Sequence, residues 1–249
     1  MANLRGKTAL VTGGSSGIGF ATAQGLAQAG ARVAIVGRRE AQLRDAAARL
    51  GHDVTALAAD VTRGADLDKL FEAVKTTFGA LDILVCSAGT TTATPLGHCT
   101  EKDFDAIFDV NVKSIFFTVQ TAAPLLNTPS SVIVVGSVCD TITIPGSSVY
   151  AASKAALHGF VRCWAAELAP RGVRVNGLSP GLTETPLLAR LQERPEVMAH
   201  FDAMVATRTN LKRRGRAEEV AAVATFLASE DSSYMTGGFL YADGGMHGW

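Results

Sequence analysis

The sequence predicts a doubly wound α/β fold: one parallel sheet of about seven strands with helices on both faces. Three observations carry this. Short apolar runs bounded by Gly or Asp alternate with longer segments of helical period for most of the length, the pattern of repeated βα units. A glycine-rich turn, Thr12-Gly-Gly-Ser-Ser-Gly-Ile-Gly19, follows the first apolar run and opens the first helical segment. No linker, repeat or low-complexity stretch interrupts the 249 residues, so a single domain, 1–249, accounts for the chain.

The elements follow in order. Strands are expected near 7–12, 32–37, 53–58, 82–86, 131–136, 172–178 and 238–242, and helices near 18–30, 40–50, 66–78, 103–126, 150–169 and 217–228. In the first turn the glycines let the backbone approach a phosphate closely, and the helix behind it offers unpaired N–H groups and the positive end of its dipole. Gly13, Ser15, Ser16, Gly17, Ile18 and Gly19 are therefore candidates for a pyrophosphate site, with a plain tight turn as the alternative. The apolar segment Phe108-Asp-Val-Asn-Val-Lys-Ser-Ile-Phe-Phe117 contains Asn111, whose amide needs a hydrogen-bonding partner if buried. Ser137 follows the apolar run 131–136, at the strand end where open α/β sheets place ligands. Tyr150 and Lys154 are four apart and share a face if a helix starts there. An ammonium roughly 5 Å from a phenol, at an effective dielectric of about 20, is worth about 3 kcal/mol and is expected to bring the phenol toward working pH.

Composition removes several function classes. Charge is balanced, 23 basic against 23 acidic residues, without the excess that holds proteins to nucleic acid or anionic lipid. The basic cluster Lys212-Arg-Arg-Gly-Arg216 reads as a solvated loop before a helix. Cys86, Cys99, Cys139 and Cys163 show neither metal-site nor redox spacing and read as reduced thiols. With no signal-peptide pattern and no apolar run of membrane-spanning length, the expectation is a soluble cytoplasmic protein without nucleic-acid, membrane or metal partners. His98 and His158 show no partner pattern and read as structural.

Taken together, Thr12-Gly13-x-x-x-Gly17-Ile18-Gly19, Tyr150-x-x-x-Lys154, Ser137 thirteen residues ahead of that tyrosine, and Asn111 resemble the short-chain dehydrogenase/reductase family, from about Gly6 to Gly245. The resemblance implies a Rossmann-type fold, a nicotinamide cofactor and a catalytic set of Asn111, Ser137, Tyr150 and Lys154. In that set Ser137 polarises a carbonyl oxygen and Tyr150 transfers the proton. Lys154 lowers the tyrosine pKa and binds the nicotinamide ribose, and Asn111 holds a relay water. It further implies adenine contacts from Asp60 and Val61, ribose contacts beside Ala88 and Gly89, and a nicotinamide segment formed by Pro180, Gly181, Leu182, Thr183 and Thr185. Cys86-Ser87 stands where the family has two asparagines, which questions the side-chain support of that strand. Residues 187–214 form an excursion that reads as a lid over the substrate.

Cofactor choice is read from the end of the second strand. Gly37 occupies the place where an NAD site puts an acidic residue, and Arg38, with Arg39 beside it, can grip a 2′-phosphate, so NADP(H) is expected, with reduction as the favoured direction. Thr90, Thr91, Thr92 and Thr94 form a neutral segment, and Asp140 is the single charge between Ser137 and Val149, which suits a neutral ketone or secondary alcohol. One alternative is a 3-oxoacyl carrier-protein reductase, whose acidic carrier needs a basic docking face; Leu125-Leu-Asn-Thr-Pro-Ser-Ser131, placed beside an entrance, has no basic residue. An alternative of another class is a non-catalytic dinucleotide sensor. The segment 151–168 is small or apolar around most of its circumference, which predicts a homo-oligomer, and the resemblance favours a tetramer.

Overall fold

The computed structural model describes residues 2–51, 54–189 and 195–248. Its centre is β1 (Thr8–Thr12), whose residues are all buried, flanked by β2 (Arg32–Gly37) and β4 (Leu81–Cys86). With β3 (Val54–Ala58), β5 (Leu126–Val135), β6 (Val173–Pro180) and β9 (Phe239–Ala242) they form a seven-stranded sheet in the order β3-β2-β1-β4-β5-β6-β9, every neighbouring pair parallel. Residue 53 of the expected third strand and residues 190–194 of the excursion lie outside the described residues.

Alternation along the strands splits the core in two. Leu10, Leu84 and Val132 pack with α3 (Gly64–Phe78), α5 (Ser114–Ala122) and α6 (Ser148–Leu168) on one face. Val11, Ile35 and Ile133 pack with α1 (Gly17–Gln28), α2 (Glu40–Leu50) and α9 (Ala217–Ala228) on the other. Both faces are therefore dry, which is why these strands read as continuous apolar runs, each fully buried Leu or Ile contributing about 1.5–3 kcal/mol.

Two elements differ from the sequence expectation. The helix expected over 103–126 is α4 (Glu101–Phe108), a π-helical turn at Asp109–Lys113 and then α5, ending in a 3-10 turn. Thr100 starts α4 with a capping box, its side chain accepting from Asp103 N while Asp103 reaches back. β5 begins at Leu126, well ahead of the expected 131, because Asn127 to Pro129 are polar or exposed and show no apolar signal. That early start lies at the amino edge of the sheet, so Leu125–Ser131 stands at the opposite edge from the candidate site, and its lack of basic residues says nothing about carrier docking.

Within the excursion lie α7 (Pro186–Ala189) and α8 (Pro195–Arg208), closed off by a two-stranded ladder of β7 (Thr183–Glu184) and β8 (Gly215–Arg216). The basic cluster before α9 is a largely exposed loop, as expected, and its side chains make surface contacts. Arg213 makes a bidentate pair with Glu219 at 2.8 and 2.7 Å, Arg214 pairs with Asp202 on α8, and Lys212 donates to Ala206 O at 2.9 Å.

Candidate active site

A cavity of about 1110 Å³ opens at the carboxyl edge of the sheet, where the strand order switches between β1 and β4. All the cofactor-binding and catalytic candidates named above line it, except Asn111. Its floor is built by close approach. A Cβ on Gly13 would stand 2.9 Å from the Ala88 backbone, and one on Gly19 would collide with Gly13 O. The N-terminus of α1 opens into this space, and Ser16, its N-cap, makes no side-chain capping bond. The first N–H groups of the helix thus lack intrahelical acceptors, a donor set that fits a pyrophosphate.

Thr12 supplies the support that Cys86 and Ser87 raised as a question. Its hydroxyl oxygen accepts from Ser87 N at 3.1 Å and Ala88 N at 3.2 Å, so one threonine on β1 holds the end of β4 where asparagines are missing. Cys86 itself is buried, and burial pushes its thiol up to about 12.

Gly37 and Arg38 form one rim. A Cβ on Gly37 would meet Leu43 Cδ1 at 3.4 Å and Ser15 Oγ at 3.5 Å, so a side chain there would point at the glycine turn. Arg38 is 69 % exposed and lies 3.8 Å from Asp60 Oδ2, a long pair that leaves the guanidinium free to turn. Asp60 is also engaged by Thr62, through N at 3.1 Å and Oγ1 at 2.8 Å. Arg39 is the N-cap of α2 and exposed. On the opposite rim, Thr183 Oγ1 donates to Gly181 O at 3.0 Å, and Thr185 accepts from Leu188 N at 3.4 Å while facing Gly17.

Tyr150 and Lys154 share a face of α6, and Ser137 faces them from the end of β5. The lysine Nζ lies 5.9 Å from the phenol ring centroid and donates to Val135 O at 3.0 Å. The expected lowering of the tyrosine pKa by this lysine is not what the arrangement gives. Burial of the phenol pushes its pKa up, Cys139 and Asp140 add to the rise, and the Ser137 hydroxyl opposes it. Tyr150 is partly buried as a residue, and the surroundings of its hydroxyl are dense enough for desolvation to dominate. Burial also depresses Lys154, to about 8, against Cys139 and Asp140, which raise it.

Asn111 is fully buried in the π-helical turn, away from the cavity lining. Its Oδ1 accepts from Thr90 N at 2.9 Å, and its Nδ2 donates to Thr90 O at 2.9 Å and Ser153 Oγ at 3.0 Å. The side chain therefore pins the Thr90 loop to α6, one residue from Lys154. The extra residue of the π turn is what brings it there.

Four residues that the sequence does not single out for the site stand in or beside it. His158 has a partner, Asp140, at 2.7 Å, and its signal was present in the i, i+4, i+8 series Tyr150, Lys154, His158. His200 and Phe201 of α8 line the outer part of the cavity. Met246 is 1 % exposed and packs with Val138 and Met204, so the chain end closes the cluster beneath the excursion.

A family model described as enoyl-(acyl carrier protein) reductase matches residues 13–247. Oxidoreductase asL5 of Sarocladium schorii is 44 % identical over 245 residues, covering 98 % of this chain and 96 % of its own. The 3-oxoacyl-[acyl-carrier-protein] reductase FabG of Thermotoga maritima is 38 % identical over 249 residues, covering 98 % of each. The solved active-site complex of Pseudomonas aeruginosa RhlG with NADP superimposes with a TM-score of 0.91 at 36 % identity, covering 98 % of each chain. Fold, motif spacing and relatives agree: this chain belongs to the short-chain dehydrogenase/reductase family of oxidoreductases.

Proposed function

We propose that the protein is an NADP(H)-dependent carbonyl reductase acting on a neutral ketone, running backwards as a secondary-alcohol dehydrogenase. The observation that carries this reading is that one cavity joins the uncapped α1 terminus and Arg38 at one end to Ser137, Tyr150 and Lys154 at the other. When bound, the nicotinamide supplies the hydride. Gly13 to Gly19 take the pyrophosphate, Asp60 and Val61 flank the adenine, Ala88 and Gly89 approach the ribose by backbone, and Pro180 to Thr185 bracket the nicotinamide. Ser137 holds the substrate oxygen, and Tyr150 gives it a proton in the reductive direction. The phenol is protonated at neutral pH, so the proton to be given is in place, while the rise in its pKa on burial makes it a weaker acid than a free tyrosine. Lys154, charged below about pH 8, orients the ribose and draws the proton replacement, with Asn111 fixing the backbone beside it.

The substrate end is lined by Thr90, Thr91, Thr92, Ile144, Leu187 and Phe201, hydroxyls and apolar groups without a fixed charge. That lining favours a neutral carbonyl. Excursion 187–214 is read as the lid, anchored by Arg213 and Arg214. The Thermotoga relative favours a second reading, a 3-oxoacyl carrier-protein reductase. Exposed Phe104 and Phe117, on the helices either side of the π turn, support a homo-oligomer, a tetramer in the favoured form, assembled over α4, α5 and α6. No helix among the described residues is long and apolar enough to cross a membrane, and with balanced charge this supports a cytoplasmic setting.

A panel of neutral ketones, 3-oxoacyl thioesters and their carrier-protein forms, each with NADPH and NADH, tests the reading. Turnover of ketones with NADPH is expected. Preference for carrier-bound thioesters moves the assignment to the second reading, and nucleotide binding without any turnover moves it to the sensor.

A further inference from the structure

Behind the face of Ser137 that meets Tyr150 lies a buried polar cluster that the reaction as described does not use. Asp140 closes the 3-10 turn Val138–Asp140, and its side chain is 0 % exposed. One carboxylate oxygen, Oδ2, lies 2.7 Å from His158 Nε2 and accepts from Ser179 Oγ at 2.8 Å; Oδ1 accepts from Tyr241 Oη at 3.4 Å. Three elements therefore converge on one carboxylate: α6 through His158, β6 through Ser179 and β9 through Tyr241.

The surroundings are shaped for this cluster. His158 stacks on Phe239 with ring centroids 3.7 Å apart, and a Cβ on Gly177 would fall inside that phenyl ring. A Cβ on Gly136 would stand 2.8 Å from Ser179 Oγ and 3.1 Å from Phe239 Cε1. Gly177 of β6 and Gly136, just past the end of β5, are thus bare of side chain where the aromatic ring and the serine stand. A buried carboxylate without such partners would cost several kcal/mol, so the satisfied set is a rigid joint.

What the joint connects is the reacting pair. The turn that Asp140 closes begins at Ser137, whose hydroxyl oxygen accepts from Cys139 N at 3.3 Å, and whose carbonyl accepts from Asp140 N at 3.0 Å. His158 is one helical turn beyond Lys154 and two beyond Tyr150 on the same face of α6. We propose that Asp140, held by His158, is a positioning residue: it fastens the turn carrying Ser137 to the helix carrying Tyr150 and Lys154, and sets the spacing and the charge in which those groups work. This rests on the oxidoreductase reading above. The groups facing the carboxylate are His158, Lys154 and Tyr150 from α6, Ser179 from β6, Tyr241 from β9 with Asp243 beyond it, and Cys139 of its own turn. Its negative charge raises both Tyr150 and Lys154, holding protons on the donor and its neighbour.

Asp140→Ala and Asp140→Asn test this in the full-length protein, with kcat and KM for a turned-over ketone, NADPH binding, and the pH titration of Lys154 followed by NMR on isotope-labelled lysine. In the Ala variant kcat is expected to fall by about 10- to 100-fold, as for a small misplacement of reacting groups, with NADPH affinity nearly unchanged. The Asn variant keeps one oxygen to accept from His158 and Ser179, replaces the long bond from Tyr241 by one its amide can donate, and loses the charge. It should recover much of kcat, while the Lys154 midpoint moves below its wild-type value by about one pH unit. If the Ala variant does not fold, the Asn variant decides through that midpoint. Wild-type kcat in the Ala variant, or an unmoved Lys154 midpoint in the Asn variant, overturns the proposal. So does a loss of kcat matched by loss of nucleotide binding, which would mark a merely structural role. If the wild-type protein reduces no ketone, the functional reading fails, and the Lys154 titration still decides whether Asp140 sets the charge of the site.

Discussion

The two edges of the sheet use the same residue types to opposite ends. At the amino edge Asp82 accepts from Thr8 N at 2.9 Å, Thr8 Oγ1 at 3.0 Å, Asn127 Nδ2 at 3.1 Å and Lys7 Nζ at 3.4 Å. Nearby, Arg174 spends its guanidinium on Ser232 Oγ, Leu227 O and Ser229 O. A cavity of about 280 Å³ lies between them, but Lys7 and Asp82 in its lining pair with each other and Arg174 is held by protein oxygens. At the carboxyl edge, the uncapped α1 terminus, Arg38 and Tyr150 face open space instead. Polar groups that saturate each other staple strands, and polar groups left facing a cavity are available to a ligand.

The difference can be broken one edge at a time. Tyr150→Phe should reduce turnover by at least about 10²-fold, the usual worth of general acid–base catalysis, with NADPH binding and melting temperature nearly as in wild type. Steady-state kinetics beside fluorescence titration of NADPH checks both halves. Near wild-type turnover with nucleotide bound would sink the assignment.

Asp82→Ala should do the reverse, lowering stability by about 1.5–3 kcal/mol for lost hydrogen bonds to a charge while turnover per folded molecule holds. Urea unfolding reads it, and so does pH. Burial pushes Asp82 up, but the Thr8, Asn127 and Lys7 contacts together outweigh it and leave its pKa below the usual carboxylate value. A depressed folded-state pKa stabilises above the unfolded value of about 3.9, and the contribution is lost as pH falls through the folded one. Wild type should therefore lose its advantage over the variant only in acid, below about pH 4. An advantage independent of pH would contradict this.

Gly37→Asp with Arg38→Leu should change the choice of nucleotide at the carboxyl edge and not the fold. The space beside Leu43 and Ser15 admits a side chain at 37, and the arginine part should cost NADPH about 1.5–3 kcal/mol of binding. Titration with both nucleotides measures the shift. Equal affinity of the wild-type protein for NADH and NADPH would refute the cofactor proposal. Smallest of all, Glu40→Gln removes one partner of an exposed i,i+4 pair with Arg44 that belongs to neither edge, and the midpoint of urea unfolding should barely move.

Legibility in the sequence followed the same division. Dry strands such as β2, and helices such as α2 and α9, carried enough apolar periodicity to be placed to the residue. The start of β5 was not legible because Asn127, Thr128 and Pro129 are polar or ring-locked and exposed. The linear motifs around Gly13, Ser137 and Tyr150 were readable because local spacing defines them. The cluster on Asp140 is not readable, since the i, i+4, i+8 spacing places His158 on the face of Tyr150 but only the fold brings the turn of Asp140, α6, β6 and β9 together. The tyrosine pKa differs from expectation for a related reason: the nearby lysine is visible in a sequence, and the burial that pushes the phenol up is not.

The π-helical turn at Asp109–Lys113 has a consequence for how the chain tolerates insertion and deletion. Such a turn holds one residue more than a regular helix can accommodate. Deleting one residue between Val110 and Lys113 would let α4 and α5 fuse into an unbroken regular ladder, and because the π turn absorbs the extra residue, the side chains on either side of the cut would keep nearly the faces they have. Ile115 and Val119 would stay in the core, and what would be lost is local, the turn that carries Asn111 against Thr90 and Ser153. A length change that regularises the helix should therefore leave the fold standing and cost the contacts of Asn111, so shortening here should harm the site more than the stability.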